Sequence, residues 1–320
     1  MPRIVILDGY TTNPGDNPWD PIREFGNLEV YDRTPEGEIL QRARGAEILL
    51  TNKTPLRRDV LEQLDDLGFI ALLATGYDVV DVDYARDRGI PVSNVPEYGA
   101  QSVAEHAIAL LLELAHKVGM HHRAVQRGEW CESPDFTFWN ESLTELGGKT
   151  MGIVGYGDIG ARVGRIASAF GMRVLASTHS SKPNPDYGPF ERVDNDELFR
   201  RSDVVSLHCP LTDTTRDLID ASRLDEMKDS AFLVNTARGE LVVEEDLVEA
   251  LESGEIAGAA VDVVSKEPME PDNPLLDAPR CVITPHNAWT SIEARRRLMN
   301  TTAENIEAYL AGEPINLVNG

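Results

Sequence analysis

The sequence predicts an α/β protein made of two doubly wound parallel-sheet domains. Its 320 residues suit two domains of medium size better than one. Short apolar runs alternate with helix-like segments in two successive series, which is typical of parallel sheets covered by helices on both faces. The second series begins with a glycine-rich turn between an apolar strand and a helix, an arrangement found in many doubly wound folds.

The first series contains five strand-like runs separated by helix-like segments. Two of the helix-like segments are Pro35–Arg44 and Arg57–Leu64. The predicted strands are Arg3–Leu7, Leu28–Tyr31, Ala46–Thr51, Phe69–Ala74 and Ile90–Ser93.

A long helix and an irregular segment separate the two series. Ser102–Val118 is rich in Ala, Leu and Glu, and is predicted to form a mostly buried helix. Trp130–Leu143 then interrupts the alternation because it contains Pro134 and several aromatic residues. These aromatic residues are Trp130, Phe136, Phe138 and Trp139.

The second series begins at Thr150, and the chain ends in another helix. That last helix, Ser291–Leu310, is followed by Gly312 and Pro314, which stop helices. The predicted strands of this series are Thr150–Val154, Arg173–Ser177, Asp203–Leu207, Ala231–Asn235, Ile256–Val261 and Cys281–Ile283.

Composition excludes several classes of protein. The net charge of −24 argues against nucleic-acid binding, because phosphate backbones attract Lys and Arg. No apolar run is long enough to span a bilayer, and a strand pattern starts at Arg3, so we expect neither a membrane protein nor a signal peptide. The three cysteines, Cys131, Cys209 and Cys281, are too dispersed for a disulfide framework or a zinc site. We therefore expect a cytoplasmic protein without a metal.

The basic residues are mostly arginine, and only six of the thirty are lysine. An acidic surface that is poor in lysine suits high internal salt, where charge repulsion is screened. A genome rich in GC gives the same bias toward arginine, so both explanations stay open.

The glycine-rich turn predicts a dinucleotide-binding site. Gly155, Gly157 and Gly160 follow the apolar strand that ends at Val154, and Asp158 and Ile159 open the next helix. The first glycine permits the tight turn, the second lets the backbone approach a pyrophosphate, and the third allows helix and strand to pack closely. The helix N-terminus adds N–H groups and a positive dipole end. An ordinary glycine-rich turn is the alternative.

The end of the second strand departs from the usual NAD pattern. An acidic residue there normally binds the adenosine ribose, but Ala161 to Pro185 contains none. Thr178, His179 and Lys182 stand at this point instead. We therefore expect an NAD(P)(H) cofactor with a preference for NADP(H), although a polar loop of this kind would tolerate either dinucleotide.

Three further segments place an acid–base apparatus after predicted strands. Arg238 offers a planar fork for a carboxylate, and His286 is suited to proton transfer near neutral pH. Glu267 is a carboxylate that would favour the protonated imidazole. Because ligands of open α/β sheets bind beyond the carboxyl ends of the strands, these residues together predict a catalytic site. Taken singly, each could be a structural or surface residue.

The chain resembles the D-isomer-specific 2-hydroxyacid dehydrogenase family over essentially its whole length. Within that family it is most similar to the glycerate dehydrogenases, also called hydroxypyruvate or glyoxylate reductases. The segments that support this subgroup are Thr51–Pro55, Leu73–Asp78, Gly89–Pro96, Gly119–Trp130 and Asp272–Leu276.

The resemblance implies a fold and a domain division. It implies a flavodoxin-like substrate-binding domain of residues 1–97 plus 291–320, and a Rossmann NAD(P)-binding domain of residues 98–290. It also implies a homodimer, joined through the segment around Trp139, with that tryptophan reaching the partner's substrate site. Aromatics that pack on their own subunit are the alternative.

The resemblance also implies roles for individual residues. Arg238 would bind the substrate carboxylate and 2-oxo group, His286 would supply the proton, and Glu267 would orient it. The remaining implied contacts fall into two sets. The set for the cofactor is Gly155, Gly157, Asp158, Ile159, Gly160, Thr178, His179, His208, Cys209, Pro210, Thr236 and Asp262, with Asp262 on the nicotinamide carboxamide. The set for the substrate is Lys53, Ala74, Thr75, Gly76 and Trp139, with backbone N–H groups around Thr75 and Gly76 on the carboxylate.

The implied reaction is reduction of hydroxypyruvate or glyoxylate to D-glycerate or glycolate, with a small 2-oxo or 2-hydroxy acid as the only expected ligand besides the cofactor. Two alternatives stay open. One is another D-2-hydroxyacid dehydrogenase, such as phosphoglycerate dehydrogenase, although we expect no appended regulatory domain and see few cations for a substrate phosphate. The other is a dinucleotide-sensing protein without catalysis, because the C-terminal-binding-protein corepressors resemble the same family.

Overall fold

A computed structural model describes residues 1–178 and 183–320. The strands in these residues are β1 Arg3–Ile6, β2 Asn27–Val30, β3 Ile48–Thr51, β4 Phe69–Leu72, β5 Val92–Ser93, β6 Thr150–Val154, β7 Arg173–Ser177, β8 Phe190–Arg192, β9 Val204–Leu207, β10 Phe232–Asn235, β11 Gly258–Val261 and β12 Cys281–Ile283. The α-helices are α1 Asp20–Arg23, α2 Ile39–Ala43, α3 Arg58–Leu61, α4 Val82–Asp87, α5 Ala100–His116, α6 Val118–Gln126, α7 Glu129–Glu132, α8 Asp158–Ala169, α9 Asn195–Arg201, α10 Ala221–Asp225, α11 Glu244–Ser253 and α12 Ile292–Leu310. Short 3-10 helices cover Gly9–Thr11, Glu36–Glu38, Gly239–Leu241 and Pro274–Asp277.

The chain forms two compact units, each built on a parallel sheet. One unit contains Met1–Gly99 and Trp289–Gly320, and the other contains Ala100–Ala288. The sequence prediction placed these boundaries at residues 97 and 291. The predicted fold class, two doubly wound parallel-sheet domains, is confirmed.

The first unit has a five-stranded sheet in the order β2-β1-β3-β4-β5, with every neighbouring pair parallel. Its central strands β3 and β4 are fully buried, because helices cover both faces of the sheet. The chain's last helix belongs to this unit: the Tyr309 ring stacks on Phe69 at 4.5 Å between centroids. Arg295, on the same helix, is buried and binds Asp16 through both terminal guanidinium nitrogens.

The second unit has a seven-stranded sheet in the order β12-β11-β10-β9-β6-β7-β8, again parallel throughout. The chain runs from β6 outward to β8 and then returns to β9 on the other side of β6. The strand order therefore reverses at β6 and β9, and such switch points are where doubly wound folds bind ligands. Two apolar cores, one on each face, fill the space between sheet and helices.

Side-chain caps fix where several helices begin. Asp81, Asp194, Asp220 and Ser291 each accept a hydrogen bond from the backbone N–H three residues later. Such caps satisfy N–H groups that the first helical turn leaves without a partner. Strand β8 has no counterpart among the predicted strands: it is only three residues long and largely exposed, so it lacks the apolar run on which the prediction relied.

No helix in the described parts of the chain is both long enough and apolar enough to cross a bilayer.

Candidate active site

The candidate active site lies where strands β10, β11 and β12 of the second unit end. These three strands are neighbours and run parallel, so the segments that follow them emerge at one edge of the sheet. Arg238 follows β10, Glu267 lies in the segment after β11, and His286 follows β12. Sequence reasoning placed these three residues at strand ends, and the fold brings the strand ends together.

His286 and Glu267 form a direct pair. His286 Nδ1 lies 2.6 Å from Glu267 Oε2, and the two side chains are 30% and 33% exposed. The other ring nitrogen, Nε2, has no hydrogen-bond partner among the residues that the structure describes. A histidine held by a carboxylate at one nitrogen, with the other open, is suited to exchange a proton with a ligand.

Asp262 organises the loop that presents His286. Its buried carboxylate accepts hydrogen bonds from the backbone N–H groups of Asn287 and Ala288, at 3.0 and 2.9 Å, and its backbone oxygen accepts one from His286 N at 2.7 Å. His286 adopts a φ of +50°, in the left-handed region that residues other than glycine avoid. The ring of hydrogen bonds around Asp262 holds this unfavourable backbone in place.

A second histidine lies behind this loop. Thr284 Oγ1 donates to Asp262 Oδ1 at 2.6 Å, which leaves the hydroxyl oxygen free to accept from His106 Nε2 at 3.1 Å. His106 Nε2 is also 3.5 Å from Asp262 Oδ1. Sequence reasoning assigned no role to Thr284, although it is only two residues from His286. It missed His106 because helix α5 is far away along the chain.

Arg238 is exposed and available for a ligand. Its guanidinium donates to the neighbouring carbonyl of Ala237 at 2.7 Å and forms no ion pair within the described residues. The next residue, Gly239, allows this turn to pack against the segment after β11. A Cβ atom at Gly239 would lie 1.9 Å from the backbone carbon of Val264. Only glycine therefore permits the Arg238 turn to approach the segment that contains Glu267 this closely.

The three glycines of the glycine-rich turn, Gly155, Gly157 and Gly160, each meet a different requirement at the start of α8. Gly155 has a φ of +96° and packs on the peptide between His208 and Cys209. At Gly160 a Cβ would lie 2.2 Å from the oxygen of Gly155. At Gly157 a Cβ would meet nothing within 4 Å. The first and third glycines therefore serve the fold, whereas the second leaves open space where a pyrophosphate can approach the backbone.

Two buried polar atoms at this edge of the sheet have no partner among the described residues: Thr236 Oγ1, after β10, and His208 Nδ1, after β9. The other ring nitrogen of His208 lies 2.8 Å from Ser206 Oγ. Burial lowers the pKa of His208 to about 4, so its imidazole is neutral at physiological pH. Orphaned buried atoms are costly in a protein alone, and a polar ligand would satisfy them. The residues at this edge therefore fit a bound dinucleotide.

The other predicted cofactor residues that the structure describes follow strands of the same sheet at this edge. Asp158 and Ile159 open α8, Thr178 follows β7, and Cys209 and Pro210 follow β9. Burial raises the pKa of the Cys209 thiol, so it does not act as a thiolate. His179 and Lys182 lie outside the described residues.

The predicted substrate residues Lys53, Ala74, Thr75 and Gly76 belong to the first unit, where they follow β3 and β4. The Asp8 carboxylate accepts three successive backbone N–H groups, those of Asn52, Lys53 and Thr54. It thereby fixes the loop that presents the exposed Lys53.

Thr75 is also firmly placed. Its hydroxyl donates to the oxygen of Val95 at 2.7 Å, and its own carbonyl accepts from Asn94 Nδ2 at 2.7 Å. The backbone N–H groups of Thr75 and Gly76 donate no hydrogen bond within the described residues. Both are therefore available to an anionic ligand.

The aromatic segment after α6 is open to solvent. Trp139 is 66% exposed and Phe136 is 89% exposed, whereas Trp130 donates its indole N–H to the oxygen of Phe136. Phe138 is partly buried, and its ring centroid lies 6.3 Å from that of His121, so this aromatic packs on its own subunit. Trp139 and Phe136 stay exposed in this chain alone.

The described residues contain no group of three or more His, Cys, Asp or Glu placed to hold a metal ion.

Comparisons with known proteins agree with this architecture. The sequence model of the NAD-binding domain of D-isomer specific 2-hydroxyacid dehydrogenases matches residues 108–288. A hydroxypyruvate reductase from Blautia hydrogenotrophica is 48% identical, covering 99% of both chains. A glycerate dehydrogenase from Methylorubrum extorquens is 42% identical, covering 99% of this chain and 98% of the relative.

A solved structure of an acyclic imino acid reductase in complex with NADPH and D-Arg is 34% identical. It superimposes with a TM-score of 0.84 and covers 99% of both chains. The family match spans more than half of the chain, and the relatives extend over nearly all of it. The chain belongs to the D-isomer specific 2-hydroxyacid dehydrogenase family.

Proposed function

We propose that this protein reduces hydroxypyruvate to D-glycerate, and glyoxylate to glycolate, with NADPH or NADH as the hydride donor. The observation that supports it most strongly is the 2.6 Å pair of His286 and Glu267, with Arg238 following the neighbouring strand. The names of the two relatives at 48% and 42% identity favour hydroxypyruvate and glycerate as the substrate pair.

The proposed chemistry needs a cation for the substrate and a proton for the product. The planar fork of Arg238 binds the carboxylate and polarises the 2-oxo group, so the carbonyl carbon becomes more electrophilic. When bound at the glycine-rich turn, a nicotinamide cofactor would supply the hydride that this carbon accepts. His286 then gives the proton on Nε2 to the carbonyl oxygen as it becomes a hydroxyl, while Glu267 stabilises the imidazolium before transfer.

The remaining contacts are proposed from the resemblance to the D-isomer specific 2-hydroxyacid dehydrogenase family. Thr75 and Gly76 offer their open backbone N–H groups to the substrate carboxylate, and Lys53 adds a positive charge. Asp262 has the further role of accepting a hydrogen bond from the nicotinamide carboxamide. Among the described residues, its carboxylate oxygen Oδ2 accepts a single hydrogen bond, from the N–H of Ala288, so it retains a lone pair for this purpose.

We also propose a preference for NADP(H). No acid lies between Ala161 and Pro185 to bind the adenosine ribose or to repel a 2′-phosphate. A relative that is 34% identical was solved in complex with NADPH, which supports this preference. Thr178, which follows β7, takes the position at which an NAD-specific enzyme places its acid.

A homodimer is proposed on the exposed aromatic segment. Trp139 and Phe136 leave a large apolar surface in solvent, and aromatic side chains of this kind dominate the energetics of many interfaces. Trp139 is our candidate for a residue that contacts the substrate of the partner.

The test is a panel of steady-state assays that follow the loss of absorbance of NADPH or NADH. Hydroxypyruvate, glyoxylate, pyruvate and, in the reverse direction, 3-phosphoglycerate are each tried with both cofactors. We expect the highest kcat/KM for hydroxypyruvate with NADPH. Turnover of 3-phosphoglycerate alone would assign the chain to a different dehydrogenase, and tight dinucleotide binding without any turnover would favour a sensor.

A further inference from the structure

We propose that Glu244, together with Asn273, is a positioning residue that holds Glu267 in register with Arg238 and His286. The proposal rests on the proposed function, because it assigns Glu244 a role in the same reaction. Neither Glu244 nor Asn273 is among the residues expected to touch substrate or cofactor.

Glu244 is the first residue of α11 and is only 7% exposed. Its Oε1 accepts a hydrogen bond from the backbone N–H of Ser265 at 2.7 Å, and its Oε2 accepts one from Asn273 Nδ2 at 2.7 Å. A buried carboxylate is costly unless hydrogen bonds compensate for lost water, and here both donors come from one segment. The carboxylate therefore fastens residues 265 and 273 to the start of α11.

The amide of Asn273 can adopt only one orientation in this arrangement. Its Oδ1 accepts from the backbone N–H of Leu275 at 3.0 Å, and this bond caps the 3-10 helix that begins at Pro274. Its Nδ2 faces Glu244. Turning the amide over would break both hydrogen bonds at once, so the donor faces Glu244 and the acceptor faces Leu275.

The segment between the two fastened points contains Glu267. On the opposite side, Gly239 packs against the Val264–Ser265 peptide so closely that a Cβ would lie 2.3 Å from the nitrogen of Ser265. That same nitrogen donates to Glu244. Ser265 is therefore held from two directions, by the turn that contains Arg238 and by the helix that begins at Glu244.

This arrangement predicts that disturbing Glu244 changes proton transfer more than binding. The 2.6 Å contact between Glu267 and His286 depends on where the segment lies, and small displacements weaken such a contact steeply. The glycine-rich turn and α8 are elsewhere along the sheet edge. We therefore expect kcat to fall while the affinity for NADPH is retained.

The experiment reverses the polarity of the Glu244–Asn273 contact. Glu244→Gln keeps an acceptor for Ser265 but places an NH2 group opposite the NH2 of Asn273. The double variant Glu244→Gln/Asn273→Asp restores a donor opposite an acceptor, keeps the net charge, and leaves an oxygen for Leu275. Glu245→Gln is the matched control, because Glu245 is the exposed neighbour on the same helix.

We expect kcat with hydroxypyruvate to fall about tenfold or more in Glu244→Gln, to return to within about threefold of the parent in the double variant, and to be unchanged in Glu245→Gln. KM for NADPH should change less than twofold. Should Glu244→Gln fail to fold, a folded and active double variant supports the proposal. A folded double variant that is no more active than Glu244→Gln overturns it, as does full activity of Glu244→Gln.

A second measurement separates this proposal from the proposed function. The ring-proton resonances of His286, recorded by NMR at one fixed pH, report whether Glu267 still lies beside the imidazole. Glu244→Gln should move these resonances in the same direction as Glu267→Gln does. Unmoved resonances contradict the positioning role even if the parent protein reduces none of the acids in the panel, and that inactivity alone contradicts only the proposed function.

Discussion

The most informative perturbation of the dinucleotide site compares two alanine substitutions in one turn. A Cβ at Gly157 meets nothing within 4 Å, whereas a Cβ at Gly160 lies 2.2 Å from the oxygen of Gly155. Ordinary contact begins near 3.4 Å, so Gly160→Ala forces the backbone apart by about 1 Å. Overpacking of this size costs about 1–3 kcal/mol of unfolding free energy. Gly157→Ala should change the unfolding free energy by less than about 0.5 kcal/mol.

The two variants should therefore separate stability from cofactor binding. Thermal unfolding should show a melting temperature lowered by several degrees for Gly160→Ala and unchanged for Gly157→Ala. Fluorescence titration should show that Gly157→Ala binds NADPH at least tenfold more weakly than the parent does. The loss is expected because the added methyl group fills the space for the pyrophosphate. Binding by Gly157→Ala with the affinity of the parent would show that the dinucleotide does not lie over this turn.

Three further outcomes are expected. Glu267→Gln removes the negative charge beside His286, so the activity that needs the protonated imidazole should be lost at a lower pH, and an unchanged pH–rate profile would contradict the pairing. The pKa of His208 is about 4, below the value near 6.5 in an unfolded chain, so acidification from pH 6.5 toward 4 favours the unfolded state. Between pH 7.5 and 5 the free energy of unfolding, measured with urea, should therefore fall by about 2 kcal/mol more in the parent than in His208→Gln. Equal losses in the two proteins would refute a neutral, buried imidazole. Trp139→Ala should weaken substrate affinity in a dimer that sedimentation shows to be intact, and a monomeric parent would end that proposal.

Much of the fold follows from local sequence signals. The bounds of β6, β7 and β12 match the predicted ones residue for residue, because each is a short apolar run between residues that do not continue a strand. Strand β5 is shorter than predicted, since only Val92 and Ser93 pair regularly with β4. The general rule that ligands bind beyond the carboxyl ends of parallel strands was sufficient to place Arg238 and His286 at one edge of the second sheet.

The supporting contacts of the site could not be predicted, because their partners are distant along the chain. Asp8 binds the N–H groups of residues 52–54, more than 40 residues away, although an acid directly after a strand was the available signal. Glu244 by itself resembles the acidic residues that commonly begin helices, and nothing local indicates its bond to Asn273. The need for glycine at position 239 becomes visible only when the segment after β11 packs against it.

The central claim is that His286 gives the proton when the 2-oxo acid is reduced. A single-turnover measurement by stopped flow, with saturating NADPH and hydroxypyruvate, compares the parent with His286→Ala. The account predicts a rate of hydride transfer at least about a hundredfold lower in the variant, with an unchanged dissociation constant for NADPH. A variant that transfers hydride at nearly the rate of the parent would contradict the account.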